Sequence, residues 1–118
     1  MEVVESNKGT IDEQKKEEGE RLLKRLKEDS FLIALAIQGK SITSEGLALL
    51  IKEVTTYKSS SITFIIGGSN GLDQAVLDKA DYLLSFSSFT FPHQLMRLIL
   101  IEQIYRSMKI NKNEQYHK

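Results

Sequence analysis

Apolar residues along this chain fall into three short runs, separated by segments with helical spacing. The first, Phe31-Leu32-Ile33-Ala34-Leu35-Ala36-Ile37, is continuous and of strand length, the pattern of a strand covered on both faces in a parallel sheet. Gln38-Gly39-Lys40 ends it. Ser41, Thr43 and Ser44 then offer N-caps to a helix with Leu47, Leu50, Ile51 and Val54 on one side, which closes at Ser59-Ser60-Ser61. A second run, Ile62-Thr63-Phe64-Ile65-Ile66, leads into Gly67-Gly68-Ser69-Asn70-Gly71. Asp73 to Lys79 has room for two helical turns, and Tyr82-Leu83-Leu84-Ser85-Phe86 is a third strand. Pro92 opens a last helix, from His93 to about Lys109, because its missing N–H costs nothing in a first turn. Upstream, Val3-Val4 closes a short strand and Asn7-Lys8-Gly9 is a turn. Thr10 with Glu13 forms a capping box for a charged helix to about Lys27, whose narrow apolar face is Leu22, Leu23 and Leu26. Strands alternating with helices predict an α/β fold with a parallel sheet. With no repeat or dividing linker, residues 1–118 are predicted to form a single domain.

Composition narrows the function classes. Apolar residues make up 41% and charged residues 27% of the 118, a balance that excludes a disordered or membrane-embedded chain. No apolar run approaches bilayer length and the N-terminus lacks a signal-peptide pattern, so a cytoplasmic protein without membrane contact is expected. The chain has no cysteine and two histidines, which removes thiolate chemistry and makes a metal site unexpected. Sixteen basic against sixteen acidic side chains leave no net charge, so a nucleic-acid partner requires a local patch.

Two loops leave strand ends, where open α/β sheets bind ligands. Gly67, Gly68 and Gly71 lack the G-x-G-x-x-G spacing and no Lys-Ser or Lys-Thr follows, so neither a dinucleotide fingerprint nor a P-loop is present. The loop admits two readings, a tight turn or a backbone cradle for a ligand. Phe86-Ser87-Ser88-Phe89-Thr90-Phe91-Pro92 combines three aromatic rings with small hydroxyl residues, suited either to core packing or to walling a flat apolar group such as adenine. The last helix carries Leu95, Leu98, Ile99, Ile101 and Ile104, a face wide enough for dimerisation as well as for packing on its own sheet. Its basic residues Arg97, Arg106 and Lys109, followed by Lys112 and Lys118 and interleaved with Tyr105, Tyr116 and His117, form a modest patch. Such a patch serves phosphate contact and base stacking, or is an ordinary charged helix and tail.

Taken in order, several blocks resemble the ribosomal RNA large-subunit methyltransferase H family. They are Ile66 to Gly71, Leu84 to Ser87, Thr90 to Arg97, Ile101 to Arg106, and Tyr116-His117-Lys118, with Leu35 and Ile37 to Lys40 matching an upstream element. The resemblance implies a parallel-sheet SPOUT methyltransferase fold with a C-terminal trefoil knot over about residues 62–109, S-adenosylmethionine as cofactor, and a homodimer. It further implies methylation at N3 of a pseudouridine in large-subunit ribosomal RNA within the assembled ribosome. By position, the cofactor contacts would be Leu35, Gly67, Phe86, Ser87, Ser88, Phe89, Thr90 and Phe91.

On that reading methyl transfer from a sulfonium to a ring nitrogen needs positioning and a proton sink, and neither a metal nor a covalent intermediate. His93 and His117 are the candidate bases, since histidine ordinarily titrates nearest neutrality, although His93 equally suits a helix start. Arg97, Tyr105, Arg106, Tyr116, His117 and Lys118 are the candidate RNA contacts. Family members begin with an additional strand and helix, and this chain starts at a position that resembles the strand after that unit. A non-catalytic SPOUT-like protein that binds cofactor or RNA is therefore the second reading. A flavodoxin-like nucleotide-binding domain is the third, and the order of the blocks speaks against it.

Overall fold

A computed structural model describes residues 29–66, 72–87, 89 and 91–116, together with Lys16, Gly19, Glu20, Arg21, Leu23 and Lys24, and for His93 the backbone. The upstream strand, turn and capping box, Leu22 and Leu26, and the candidate residues Gly67, Ser88, Thr90, His117 and Lys118 lie outside the described residues. The six upstream positions that are described are helical, as the charge and capping pattern predicts. Gly19 is buried against the Asp73 side chain.

The remaining elements are β1 (Phe31–Ser41), α1 (Ser44–Tyr57), β2 (Ile62–Ile66), α2 (Gln74–Lys79), β3 (Tyr82–Ser85) and α3 (His93–Asn111). Their three strands form a parallel sheet in the order β2-β1-β3, which puts the continuous apolar run of β1 at its centre. Alternation along the strands sorts the core into two faces. Ile33, Ile62, Phe64, Ile66 and Leu84 pack with Leu47 and Val54 of α1 and Leu100 and Ile104 of α3. Leu32, Ala34 and Ile65 pack on the other side with Leu72 and with Val76 of α2. The resulting α/β fold is the class that the run lengths predict.

The structure settles or shifts several boundaries for identifiable reasons. Thr43 caps α1, its Oγ1 accepting from the Gly46 N–H at 2.9 Å, which leaves the Ser44 hydroxyl available for another partner. Helix α3 continues to Asn111 because its stop is Asn113, left-handed at φ 59°, whose N–H donates to the Ile110 carbonyl at 3.0 Å. Strand β1 does not end at Ile37 but continues to Ser41 through an irregularity. Leu84 registers first with Leu35 and then again with Lys40, so the pairing with β3 shifts register across residues 36–39 within the strand. Phe86 falls just outside β3.

Candidate functional site

The helices that leave neighbouring strands β1 and β2 lie on opposite faces, an arrangement that opens a crevice beyond the C-terminal ends of a parallel sheet. Leu35 sits at that edge, in register with Ile66 of β2 on one side and Leu84 of β3 on the other. The two loops singled out in the sequence therefore start on either side of Leu35, one directly after Ile66 and the other directly after Ser85. Phe86, half-buried, packs onto the core shared by α1 and α3 and joins the loop to the sheet. Beyond it the loop is held by its own hydroxyls. Ser85 Oγ donates to the Ser87 carbonyl at 3.3 Å, and Ser87 Oγ accepts from the Phe89 N–H at 2.9 Å. Phe89 is 76% exposed and its ring lies 6.5 Å from that of Phe91, tilted by 52°. A large apolar ring that exposed, on a loop tied down by local hydrogen bonds, is available to cover a flat ligand.

A cavity of about 200 Å³ adjoins this loop, between the start of α1, the end of β3 and the middle of α3. Leu84 and Phe86 line it from the sheet side, and Ser44 and Gln103 from the helices. Ser44 Oγ donates to Gln103 Oε1 at 2.7 Å. Ser44 and Gln103 were not singled out together by the sequence pattern. The available signal was an amide on the inward stripe of α3, among Met96, Leu100 and Ile104, where the remaining spacing is apolar.

The candidate RNA contacts separate into two places. Arg97 is exposed about two turns of α3, roughly 12 Å, before Tyr105. Tyr105, Arg106 and Tyr116 instead form one cluster. The two tyrosine rings meet edge to face at 5.0 Å, and the Arg106 guanidinium lies 4.9 Å from the Tyr116 ring centre. Glu102 receives Arg106 one turn earlier, with Nη2 to Oε1 at 2.7 Å and Nε to Oε1 at 2.8 Å. Lys109 ion-pairs with Glu114 at 2.7 Å and lies 5.2 Å from the Tyr105 ring. Both acidic residues of this segment are thus engaged by its cations, and the tail folds back on α3 as a stack of charges and rings.

These pairs set a pH window. The hydrogen bond from Lys109 holds the Glu114 carboxyl below its ordinary value, and Glu114 in turn raises Lys109. The contribution of Glu114 is complete above the ordinary carboxylate pKa and fades as pH falls through its lowered one; that of Lys109 fades only as pH rises through its raised one. This pair is therefore expected to help hold the tail across neutral pH and to loosen its grip in acid, while the Tyr116 contacts with Tyr105 and Arg106 do not depend on it. Tyr105 ring resonances, beside Lys109, followed from pH 7 to 3 would move together with Glu114 titration; a ring that stays fixed after the carboxylate protonates would contradict the coupling.

Fold and site together define an α/β domain whose two candidate loops start at the carboxyl ends of a parallel sheet. The chain belongs to the SPOUT methyltransferase family, whose description, "Predicted SPOUT methyltransferase", matches it over residues 1–117. It is 61% identical over 104 residues to a protein named ribosomal RNA large subunit methyltransferase H from Bifidobacterium adolescentis, a match that covers 88% of this chain and 65% of that relative. A protein of the same name from Halothermothrix orenii is 56% identical over 108 residues, covering 92% of this chain and 68% of its own length. The chain thus spans about two thirds of these relatives.

Proposed function

We propose that this chain binds S-adenosylmethionine at the crevice edge and belongs to a protein that methylates N3 of a pseudouridine in large-subunit ribosomal RNA in the cytoplasm. The observation that carries the proposal is the register of Leu35 between Ile66 and Leu84, which starts both candidate loops at one edge of the sheet. The residues fit such a cofactor. Leu35 would give an apolar floor, Gly67 a close backbone approach, and the run Phe86, Ser87, Ser88, Phe89, Thr90 and Phe91 an aromatic wall with backbone amides for the adenine edge. S-Adenosylmethionine, when bound, supplies a methyl group on a cationic sulfonium. Apolar walls favour transfer, because the site's charge is lost as the methyl departs. Residues 62–109 would carry the trefoil knot of the fold.

The acceptor N3 carries a proton, so the chain must place the base and accept that proton. His93, the first residue of α3, and His117 in the tail are the proposed acceptors. Tyr105, Arg106 and Tyr116 with Lys118 are proposed to hold RNA near the tail, and Arg97 to meet phosphate further along α3. Arg106, paired with Glu102 and stacked on Tyr116, also fixes the path of the tail.

A second copy of the chain is the proposed partner of α3. The inward stripe of the helix is buried in its own core, while Leu95, Leu98, Ile101, Tyr105 and Met108 are exposed on the opposite side, Leu98 at 63% and Ile101 at 55%. An apolar stripe of that length on a helix already packed on its other side marks an association surface. Replacement of Ile101 by glutamate is expected to shift the chain from dimer to monomer in sedimentation velocity, and an unchanged profile would count against this face.

The proposal as a whole is tested with labelled S-adenosylmethionine and ribosomes from a strain lacking the modification. Incorporation at N3 of the pseudouridine is expected. Calorimetry that detects no S-adenosylmethionine binding by the folded chain would remove the proposal at its base.

A further inference from the structure

The cavity between α1, β3 and α3 is not among the residues assigned above to cofactor, proton transfer or tail, apart from Phe86, which belongs to both the cavity and the aromatic loop. At about 200 Å³ it is smaller than the roughly 300–1,000 Å³ that encloses a cofactor-sized ligand, and so has room for a single ring. None of its lining side chains carries a charge. Without an opposing side-chain charge it is a poorer match for a phosphate group or the zwitterionic end of an amino acid than for a neutral ring. What it offers is flat apolar surface from Phe86, Leu47 and Ile99, and a polar edge from Ser44 and Gln103. The hydroxyl of Ser44 occupies the Gln103 amide oxygen, so the amide nitrogen is the end that points its donors elsewhere, and it finds no acceptor among the described residues.

We infer that this cavity seats a single uncharged pyrimidine ring of the nucleic-acid substrate, with the Gln103 amide donating to a ring carbonyl and Ser44 orienting that amide. The inference rests on the proposed function. An enzyme that acts on a base must take it out of the stack into a pocket, and reads it there by edge hydrogen bonds and stacking on aromatic or apolar side chains. A carbonyl contact leaves the ring N3 open to the methyl donor. Phe86, which lines this cavity and opens the aromatic loop, would then connect the two sites.

The test has two readouts. In an amide correlation spectrum of the full chain, millimolar uridine or pseudouridine is expected to shift the Gln103 side-chain amide and the backbone amides of Leu84 and Phe86. Ribose 5-phosphate, which has no base, is expected to leave them in place. Gln103→Leu keeps the volume and removes the donors, and should abolish the nucleoside shifts. In ribosome methylation it should lower kcat/KM about tenfold, the effect of one lost hydrogen bond to substrate, while S-adenosylmethionine binding is unchanged. Ser44→Ala should give a smaller loss in the same direction, and serves if the first variant does not fold. Nucleoside shifts in a chain that transfers no methyl group would uphold the seat and refute the proposed activity. Methyl transfer without those shifts, or shifts that persist in both variants, would overturn the seat and leave the activity standing.

Discussion

Replacing Phe64 by alanine is expected to destabilise the chain by about 3–5 kcal/mol, the usual cost of truncating a fully buried phenylalanine. Phe64 is 1% exposed and sits in β2 in register with Ile33, inside the core that also takes Leu47 and Val54 from α1 and Leu100 and Ile104 from α3. Its cluster draws on two helices and the central strand, so no one element can collapse to refill the space. Domains of this size are stable by only about 5–15 kcal/mol, so the loss is a large share of the whole. Chemical denaturation would read it as a lower midpoint, and thermal melting as a fall of roughly 10–20 °C. A loss below about 1 kcal/mol would mean that α1 and α3 do not close over β2 as described.

A second large effect is expected at Gly39. A Cβ there would stand 2.6 Å from the carbonyl carbon and 2.7 Å from the oxygen of Leu83, and 2.8 Å from the nitrogen of Leu84. All three are backbone atoms of β3, which have no rotamer by which to yield. Gly39→Ala must therefore push the returning end of β1 away from β3, at a cost of about 1–3 kcal/mol for overpacking, and Gly39→Val more. The functional effect should exceed the stability effect. Leu84 registers with both Leu35 and Lys40 across this contact, and Phe86 follows two residues later, so displacement moves the start of the aromatic loop relative to Leu35. We expect S-adenosylmethionine affinity, measured by calorimetry well below the melting temperature, to fall more steeply in Gly39→Ala than in a core variant of equal stability. Equal losses in the two would reduce Gly39 to a packing residue.

Much of the candidate site was legible without coordinates. The glycine turn and the aromatic loop stood out because each follows a strand-length apolar run, and in a parallel sheet such positions converge on one edge. The convergence itself depends on register, which puts Leu35 between Ile66 and Leu84 and is set by pairing between distant segments. The tail was partly legible. Its aromatic and basic residues were visible, but not that Glu102 and Glu114 engage Arg106 and Lys109. A count of charges carries no pairing geometry. Ser44 and Gln103 were not legible as partners, since they lie 59 positions apart and meet only because α1 and α3 pack on the same face.

The three strands, the helices between them, the parallel class and the candidate loops follow from local pattern, because run length, periodicity and capping act within a few residues. The sequence also showed a wide apolar face on α3, suited either to dimerisation or to packing on its own sheet. Tertiary structure decided which side of α3 faces in, leaving Leu98 and Ile101 outside, and formed the uncharged cavity at Gln103. It also bent β1 back onto β3, so that a glycine predicted to end a strand became a contact between two backbones. Each of these depends on how elements distant in sequence stack and register, and no local propensity encodes that distance.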